Sequence, residues 1–398
     1  MFKKIALIAI TVMLAAGLAG CGGDKKNPAD DTPPTEAPSA ASSAISDYYP
    51  ILPDRIMRYT GSATVKAVNE AGEEVDTEVA ILADMFNDYI HGDISQQRVI
   101  SDVEGRQTVS AEVYDASGGK LRLVSAEGGM YDHADMTGEE PFMDILILSE
   151  PLREGAEWIR TESGGVTETA KIIGMDEQVT VPYGTFSAMV VEIQRGDEVQ
   201  REYYAKGLGW VKTELDGPER AQSQELAEVI EGPLREQMPM IYGWHVEVEE
   251  GEEDAPQYSM APMYDIANVT YPTNSDINAI YSDVLRRYAA EKYGMELDED
   301  VKINSLEIDR FTRLLHVDLS RAFLEAMKEL GNGEMQALQL IADTLSESYF
   351  AYEVTFSVDG EAYVSDNITI DPEQGDFVTP SGYKDAEAYY NDNVNNGE

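Results

Sequence analysis

The side chains of this 398-residue chain that could do chemistry are one cysteine, four histidines and 75 carboxylates. Cys21 has no second thiol to pair with, so an internal disulfide is excluded, and a thiolate-rich metal site with it. His91 in H-G-D and His133 in Y-D-H-A-D sit among acids, but neither has a zinc spacing such as H-E-x-x-H. No metal and no cofactor is expected. The run E-V-E-E-G-E-E-D at 247–254 lacks the ordered D-x-D-x-D-G loop of a calcium site and reads as a solvated linker. No G-x-S-x-G, P-loop or paired glycine-rich βαβ unit occurs, and the carboxylates are too numerous for one pair to stand out. No catalytic residue is assigned and the chain reads as non-catalytic. Asp318 and Ser320, in H-V-D-L-S-R-A-F, are the most site-like residues. One of them is expected to cap a helix starting near Arg321 by accepting a hydrogen bond from a free backbone N–H. Thr344, beside Leu345, is expected to pack and to bond a backbone group through its hydroxyl.

Charge narrows the partners. A net charge of −46 repels nucleic-acid phosphates and anionic lipid headgroups, so no nucleic acid is expected. With 43% apolar residues and 22 tyrosines the chain can bury a core, so global disorder is rejected.

The elements that position these residues begin with a leader. Lys3 and Lys4 precede an uncharged apolar run, Ile5 to Leu18, too short to span a bilayer, which needs about 20 residues. Residues 1–20 therefore read as an export signal. Its end, Leu18-Ala19-Gly20-Cys21, resembles the lipobox of bacterial lipoproteins. That resemblance implies a diacylglyceryl group on Cys21, cleavage before it, and a lipid anchor on the extracytoplasmic face of the cell membrane. Several acyl chains at about 0.8 kcal/mol per buried CH₂ make such an anchor durable. Residues 21–46, rich in Pro, Ser, Ala and Asp, read as the lipidated Cys and a disordered tether.

From 47 to 215 the pattern is β. Val109, Ala111 and Val113 alternate with polar residues before the turn at 115–119, and Leu121 and Leu123 resume the alternation. Met189, Val191 and Ile193 share a face, and Arg195-Gly196-Asp197 turns the chain. The expected fold is a large antiparallel sheet, curved or partly closed into a barrel. Residues 216–262 read as an acidic linker, with a short helix over E-R-A-Q-S-Q-E-L-A-E-V-I. A smaller α+β domain is expected over 263–378. Its first helix carries Ile277, Ile280, Tyr281, Val284, Leu285 and Tyr288, with Ser275 as N-cap and Gly294 as stop. Met335, Leu338, Ile341, Ala342 and Leu345 predict another helix, after a break at 331–333. Residues 379–398 read as a polar tail.

The motif H-V-D-L-S-R-A-F at 316–323, then A-D-T-L at 342–345 and F-S-V-D-G at 356–360, resembles the GerMN domain of sporulation and spore-germination proteins. The family motif falls on Val317, Asp318, Leu319 and Ser320, on Thr344 and Leu345, and on Asp359 and Gly360. The resemblance implies a non-catalytic module of Gram-positive envelope proteins, commonly lipoproteins, that mediates assembly or wall-associated interactions. V-P-Y-G-T-F at 181–186 and Y-Y-A-K-G-L-G-W-V-K at 203–212 look like a group of β-rich envelope lipoproteins of unassigned function. Envelope proteins or further copies of the chain are the expected partners, besides the membrane through Cys21. The alternative is a carrier or chaperone holding a lipid or apolar ligand in the concave sheet.

Overall fold

The computed structural model describes residues 44–68, 72–130, 132–163, 166–218, 220–249, 257–328 and 333–380. The stretch expected as signal, Cys21, most of the expected tether, the acidic stretch 250–254 and all but the start of the expected tail lie outside them.

Period-2 alternation produces two meanders of six strands. The first runs β1 Arg55–Val68, β2 Glu74–His91, β3 Ile94–Val103, β4 Arg106–Asp115, β5 Lys120–Gly128 and β6 Ile145–Ser149. The second runs β7 Glu157–Ser163, β8 Val166–Val181, β9 Gly184–Arg195, β10 Glu198–Ala205, β11 Gly209–Asp216 and β12 Ala221–Glu231. β1 pairs antiparallel with β12, which joins both meanders into one 12-stranded sheet with β6 and β7 as its edges. Those edges approach each other, and Trp158 Nε1 donates to Leu146 O at 3.1 Å across the seam. The sheet is thus a nearly closed barrel, which limits the exposed edge that other chains could pair with.

Its interior is filled with large side chains. Tyr59, Tyr114, Tyr204, Trp210, Leu121 and Val191 are all buried in one cluster. The fourth strand of each meander adds the same polar pair. Tyr114 Oη donates to Glu112 Oε2 at 2.6 Å, and Tyr204 Oη donates to Glu202 Oε2 at 2.6 Å. Burial pushes the Glu112 carboxyl up to about 7, against the opposing bond from Tyr114. Two cavities lined by residues of this sheet measure about 50 and 20 Å³, far below the few hundred Å³ a carried lipid needs. Val109, Ala111 and Val113 are buried as their alternation predicts, but two of them pack outside the barrel. Ala111 and Val113 lie under Met130 and Met136 of the β5–β6 connection. Tyr114, the next residue on the strand, faces inward beside Glu112, as alternation requires.

Two sequence expectations are corrected here. The tether does not reach residue 46: Ile45–Tyr48 forms a one-turn helix, α1, whose Ile45 and Tyr48 enter the barrel core. Residues 216–262 are not a linker with a helix. E-L-A-E-V-I belongs to β12, where it pairs along its length with β1, and β11 pairs with the residues before it up to Glu225. The rest forms a long hairpin, β13 Leu234–Glu249 and β14 Gln257–Tyr271. The long ladder with β1 outweighs a weak local helical preference.

The C-terminal unit continues with α2 Ile277–Tyr293, β15 Ile303–Ile308, β16 Leu314–Leu319, α3 Arg321–Lys328, α4 Glu334–Tyr349, β17 Glu353–Val358, β18 Glu361–Val364 and β19 Thr369–Ile370. The strands form a five-stranded sheet in that order, antiparallel except for the parallel pair β16–β17. Leu315, Val317 and Leu319 alternate onto one face, where they meet Tyr281, Phe323, Leu338 and Leu345 from the three helices. Asp276, not Ser275, caps α2 by accepting from Ala279 N at 3.0 Å, because Ser275 Oγ donates back to Pro272 O. Gly294 ends that helix in the left-handed conformation, as its position predicts. Met335 stays exposed, whereas Leu338, Ala342 and Leu345 are buried.

Candidate functional site at the cleft between the two units

The family-motif residues fall in three places. Val317 and Leu319 point into the helical core while Asp318, between them, points to the other face of the sheet. There its Oδ1 accepts from Ser357 Oγ at 2.5 Å and from Gly360 N at 2.8 Å, and its Oδ2 accepts from Asn304 Nδ2 at 3.0 Å. Burial opposes ionisation, but these bonds outweigh it and hold Asp318 below the usual carboxylate range. Asp359 and Gly360 form the tight turn between β17 and β18, both at positive φ, and Asp359 N donates to Leu319 O at 3.0 Å. Glycine meets the second of those conformations without steric cost. Ser320 is the cap: its Oγ accepts from Phe323 N at 3.2 Å and donates to Asp300 O at 2.7 Å. Thr344 Oγ1 accepts from Ile241 N at 3.0 Å, tying α4 to β13. Leu345 is wholly buried.

His316 Nε2 lies 2.9 Å from Ser357 Oγ, so His316, Ser357 and Asp318 form a chain. The order matters. A serine nucleophile needs the imidazole to take its proton, with the carboxylate behind the imidazole. Here the serine is in the middle, donates to the carboxylate and is 2% exposed. The chain is a brace for the sheet face.

That face lines a cavity of about 1010 Å³ between the C-terminal unit and the first meander. The β15–β16 turn, the start of α2 and the segment 372–377 form one side, and the loop 133–139 with Tyr89 forms the other. Arg310, on that turn, pairs with Glu127 of β5 at 2.9 Å and reaches Glu139 at 3.8 Å. Phe311 beside it is fully exposed, and Phe377 is half-exposed.

A buried ionic cluster holds the wall of this cleft. Arg98 Nε donates to Asp88 Oδ2 at 2.8 Å, and its two other nitrogens donate to Met130 O and Asp132 O at 2.6 and 2.7 Å. His133 stands 3.8 Å from Asp88 and 3.0 Å from Glu236 of β13, and stacks on Tyr271 of β14 at 3.9 Å. Burial and Arg98 act to lower the His133 pKa, but the two carboxylates prevail and raise it. Next to the cluster, Thr273 N donates to Asp54 Oδ1 at 2.9 Å and Asn274 Oδ1 accepts from Ile90 N at 2.7 Å, stitching the β14–α2 connection onto the first meander.

The two histidine motifs of the sequence do converge, through His91 Nε2 and Asp135 Oδ2 at 3.0 Å. Among the described residues no group of three or more His, Cys, Asp or Glu is placed to hold a metal. Sequence reading missed Asp88, Arg98 and Glu236. The available signal was a charged side chain inside an alternating strand, as Arg98 is between Gln96 and Ile100.

Residues 256–364 match the family model described as "Germane: Sporulation and spore germination". No curated protein matches the chain. Among solved structures, an exported protein with a YmcC-like fold from Bacteroides fragilis is 12% identical, covers 46% of this chain and 99% of its own, and superposes with a TM-score of 0.27. A lipoprotein from Parabacteroides distasonis is likewise 12% identical, with 46% and 98% covered and a TM-score of 0.27. For a β-barrel-like protein from Brucella abortus the values are 12%, 44%, 96% and 0.24. Superpositions this loose add nothing to the fold described above. The family match and the α+β architecture coincide, and the chain carries a GerMN-like domain in its C-terminal unit.

Proposed function

We propose that this chain is a lipid-anchored, extracytoplasmic envelope protein without catalytic activity, which binds other proteins through its GerMN-like domain during sporulation or germination. The observation that carries this reading is the coincidence of the family match with the cleft. The domain turns the face bearing His316 and Thr355 toward a cavity rimmed by the exposed Phe311 and Phe377. Exposed aromatics at the mouth of a large cleft favour docking. The polar groups beneath are tied to one another, which favours binding over turnover. Anchoring follows from the resemblance of residues 18–21 to a lipobox. No helix among the described residues is long and apolar enough to cross a membrane, and an acylated Cys21 needs none.

One experiment tests both parts. A photocrosslinking amino acid replaces Phe311 in the full chain in living cells, with and without Cys21→Ala. We expect the crosslink to join the chain to one defined protein in the membrane fraction, and Cys21→Ala to release the chain from the membrane. A chain that stays membrane-bound without Cys21 refutes the anchor, and the absence of any protein adduct from position 311 refutes the docking role.

A further inference from the structure

The charge on the cleft is one-sided. Asp135, Glu139, Asp276, Glu307, Asp309 and Asp376 line it, all exposed. Against them stands one guanidinium, Arg310, already engaged by Glu127 and Glu139. His133 faces Glu236 and His316 faces Ser357, so neither offsets the acids in the mouth. Several of these carboxylates have one oxygen committed and one left over. Asp276 Oδ1 caps α2, Asp309 Oδ1 accepts from Phe311 N and Thr312 N, and Asp376 Oδ2 accepts from Asp371 N. Walls of low dielectric focus such a field into the cavity, and the −46 of the whole chain reinforces it. Phe311 and Phe377 add apolar surface with nothing described over it, and β15, on the rim, is an edge strand of its sheet.

We propose that the cleft binds an extended, lysine- or arginine-bearing segment of a partner protein. Its cations meet Glu307, Asp309 and Asp376, and its apolar side chains and the stems of its basic residues pack on Phe311 and Phe377. This rests on the interaction role proposed above and names the chemistry of the partner. A bare divalent ion is disfavoured, since no three ligands converge among the described residues. An anionic lipid headgroup is repelled. Basic side chains with long apolar stems match acid and aromatic surface together.

The test is fluorescence anisotropy on the full chain in detergent, with a labelled, end-capped hexapeptide alternating Lys and Phe, its Glu-Phe counterpart, and spermine as competitor. We expect saturable, one-to-one binding of the Lys-Phe probe alone, weakened about tenfold by Glu307→Gln with Asp376→Asn, and similarly by Phe311→Ala with Phe377→Ala. Asp197→Asn with Glu78→Gln, remote on the barrel, should leave it unchanged. Equal weakening by the remote pair marks general charge attraction and overturns the proposal, as does indifference to the phenylalanines or full displacement by spermine at the peptide's own concentration. If the probe does not bind while crosslinks from position 311 persist in cells, the basic segment is wrong and the docking role stands. If both fail, both fall.

Discussion

Three donors converge on the Asp318 carboxylate, from Ser357, Gly360 and Asn304, so this residue holds β15, β17 and the β17–β18 turn to β16. Its worth is structural and has a definite pH signature. A carboxyl whose pKa is depressed in the folded state stabilises above its unfolded value, about 3.9, and that stability is lost as pH falls through the lower folded value. Asp318→Ala takes the acceptor from the buried Ser357 hydroxyl and from the Gly360 N–H, while Asn304 keeps Leu319 O and Asp359 Oδ1, and the expected cost is on the order of 1–3 kcal/mol. Asp318→Asn keeps an acceptor and is expected to cost less, while flattening the acid limb. Urea unfolding of the two variants between about pH 3 and 7 separates them. An unchanged acid limb in the Asn variant would show that other carboxylates set it.

At the scale of elements, closure of the barrel depends on the β1–β12 pairing, where Gly61 lies opposite Gln224. A Cβ at Gly61 would sit 1.9 Å from Ser223 O, a backbone atom that cannot rotate away. Gly61→Ala is therefore expected to push β1 and β12 apart and to cost on the order of 1–3 kcal/mol. Faster amide exchange in Thr60–Ala63 and Gln222–Gln224, with β8–β9 unaffected, is the expected readout. Uniform exchange across β1–β12 and β8–β9 would mean the β1–β12 joint is not the weak point. Such a contact is invisible in sequence. Alternation made individual strands legible, as in Met189, Val191 and Ile193, and helical spacing made α2 and α4 legible. Which strand meets which, 163 residues apart for Gly61 and Gln224, was not. The same blindness explains the misread E-L-A-E-V-I: its fate is decided by distant ladders. The site was legible in part. The residues of the GerMN-like motif stand out as a pattern, yet one cleft wall includes His133, held in place by Arg98, Asp88 and Glu236, which only folding joins.

Over the whole molecule, the decisive joint is the His133 cluster, since it links the first meander to the β13–β14 hairpin that leads into the C-terminal unit. The groups around the imidazole are Asp88, Arg98, Asp132, Glu236, Tyr89, Tyr271 and Tyr281. Asp88 and Glu236 prevail over burial and over Arg98, so the imidazolium is favoured in the folded state. A raised histidine pKa contributes stability that is complete below the unfolded value, about 6.5, and is lost as pH rises through the folded value. Asp88 and Glu236 oppose this only in acid. Burial works against their ionisation, but Arg98 and His133 hold both below the usual range, so their share disappears toward and below about pH 4. The joint is thus strongest in mildly acidic solution and slackens as pH climbs past neutrality. Resonance energy transfer between dyes on the β5–β6 connection and at the β15–β16 turn reports the width of the cleft. We expect it to fall from about pH 5.5 to 8.5 in the native chain and to lose most of that dependence in His133→Gln. Removing Arg98 is harsher: Arg98→Met leaves the buried Asp88 with His133 alone, 3.8 Å away, and strips the Met130 and Asp132 carbonyls of their donor, at about 3–5 kcal/mol. If His133→Gln keeps the full pH response while Arg98→Met loosens the cleft at every pH, the cluster is a fixed clamp and the imidazole plays no part in opening it.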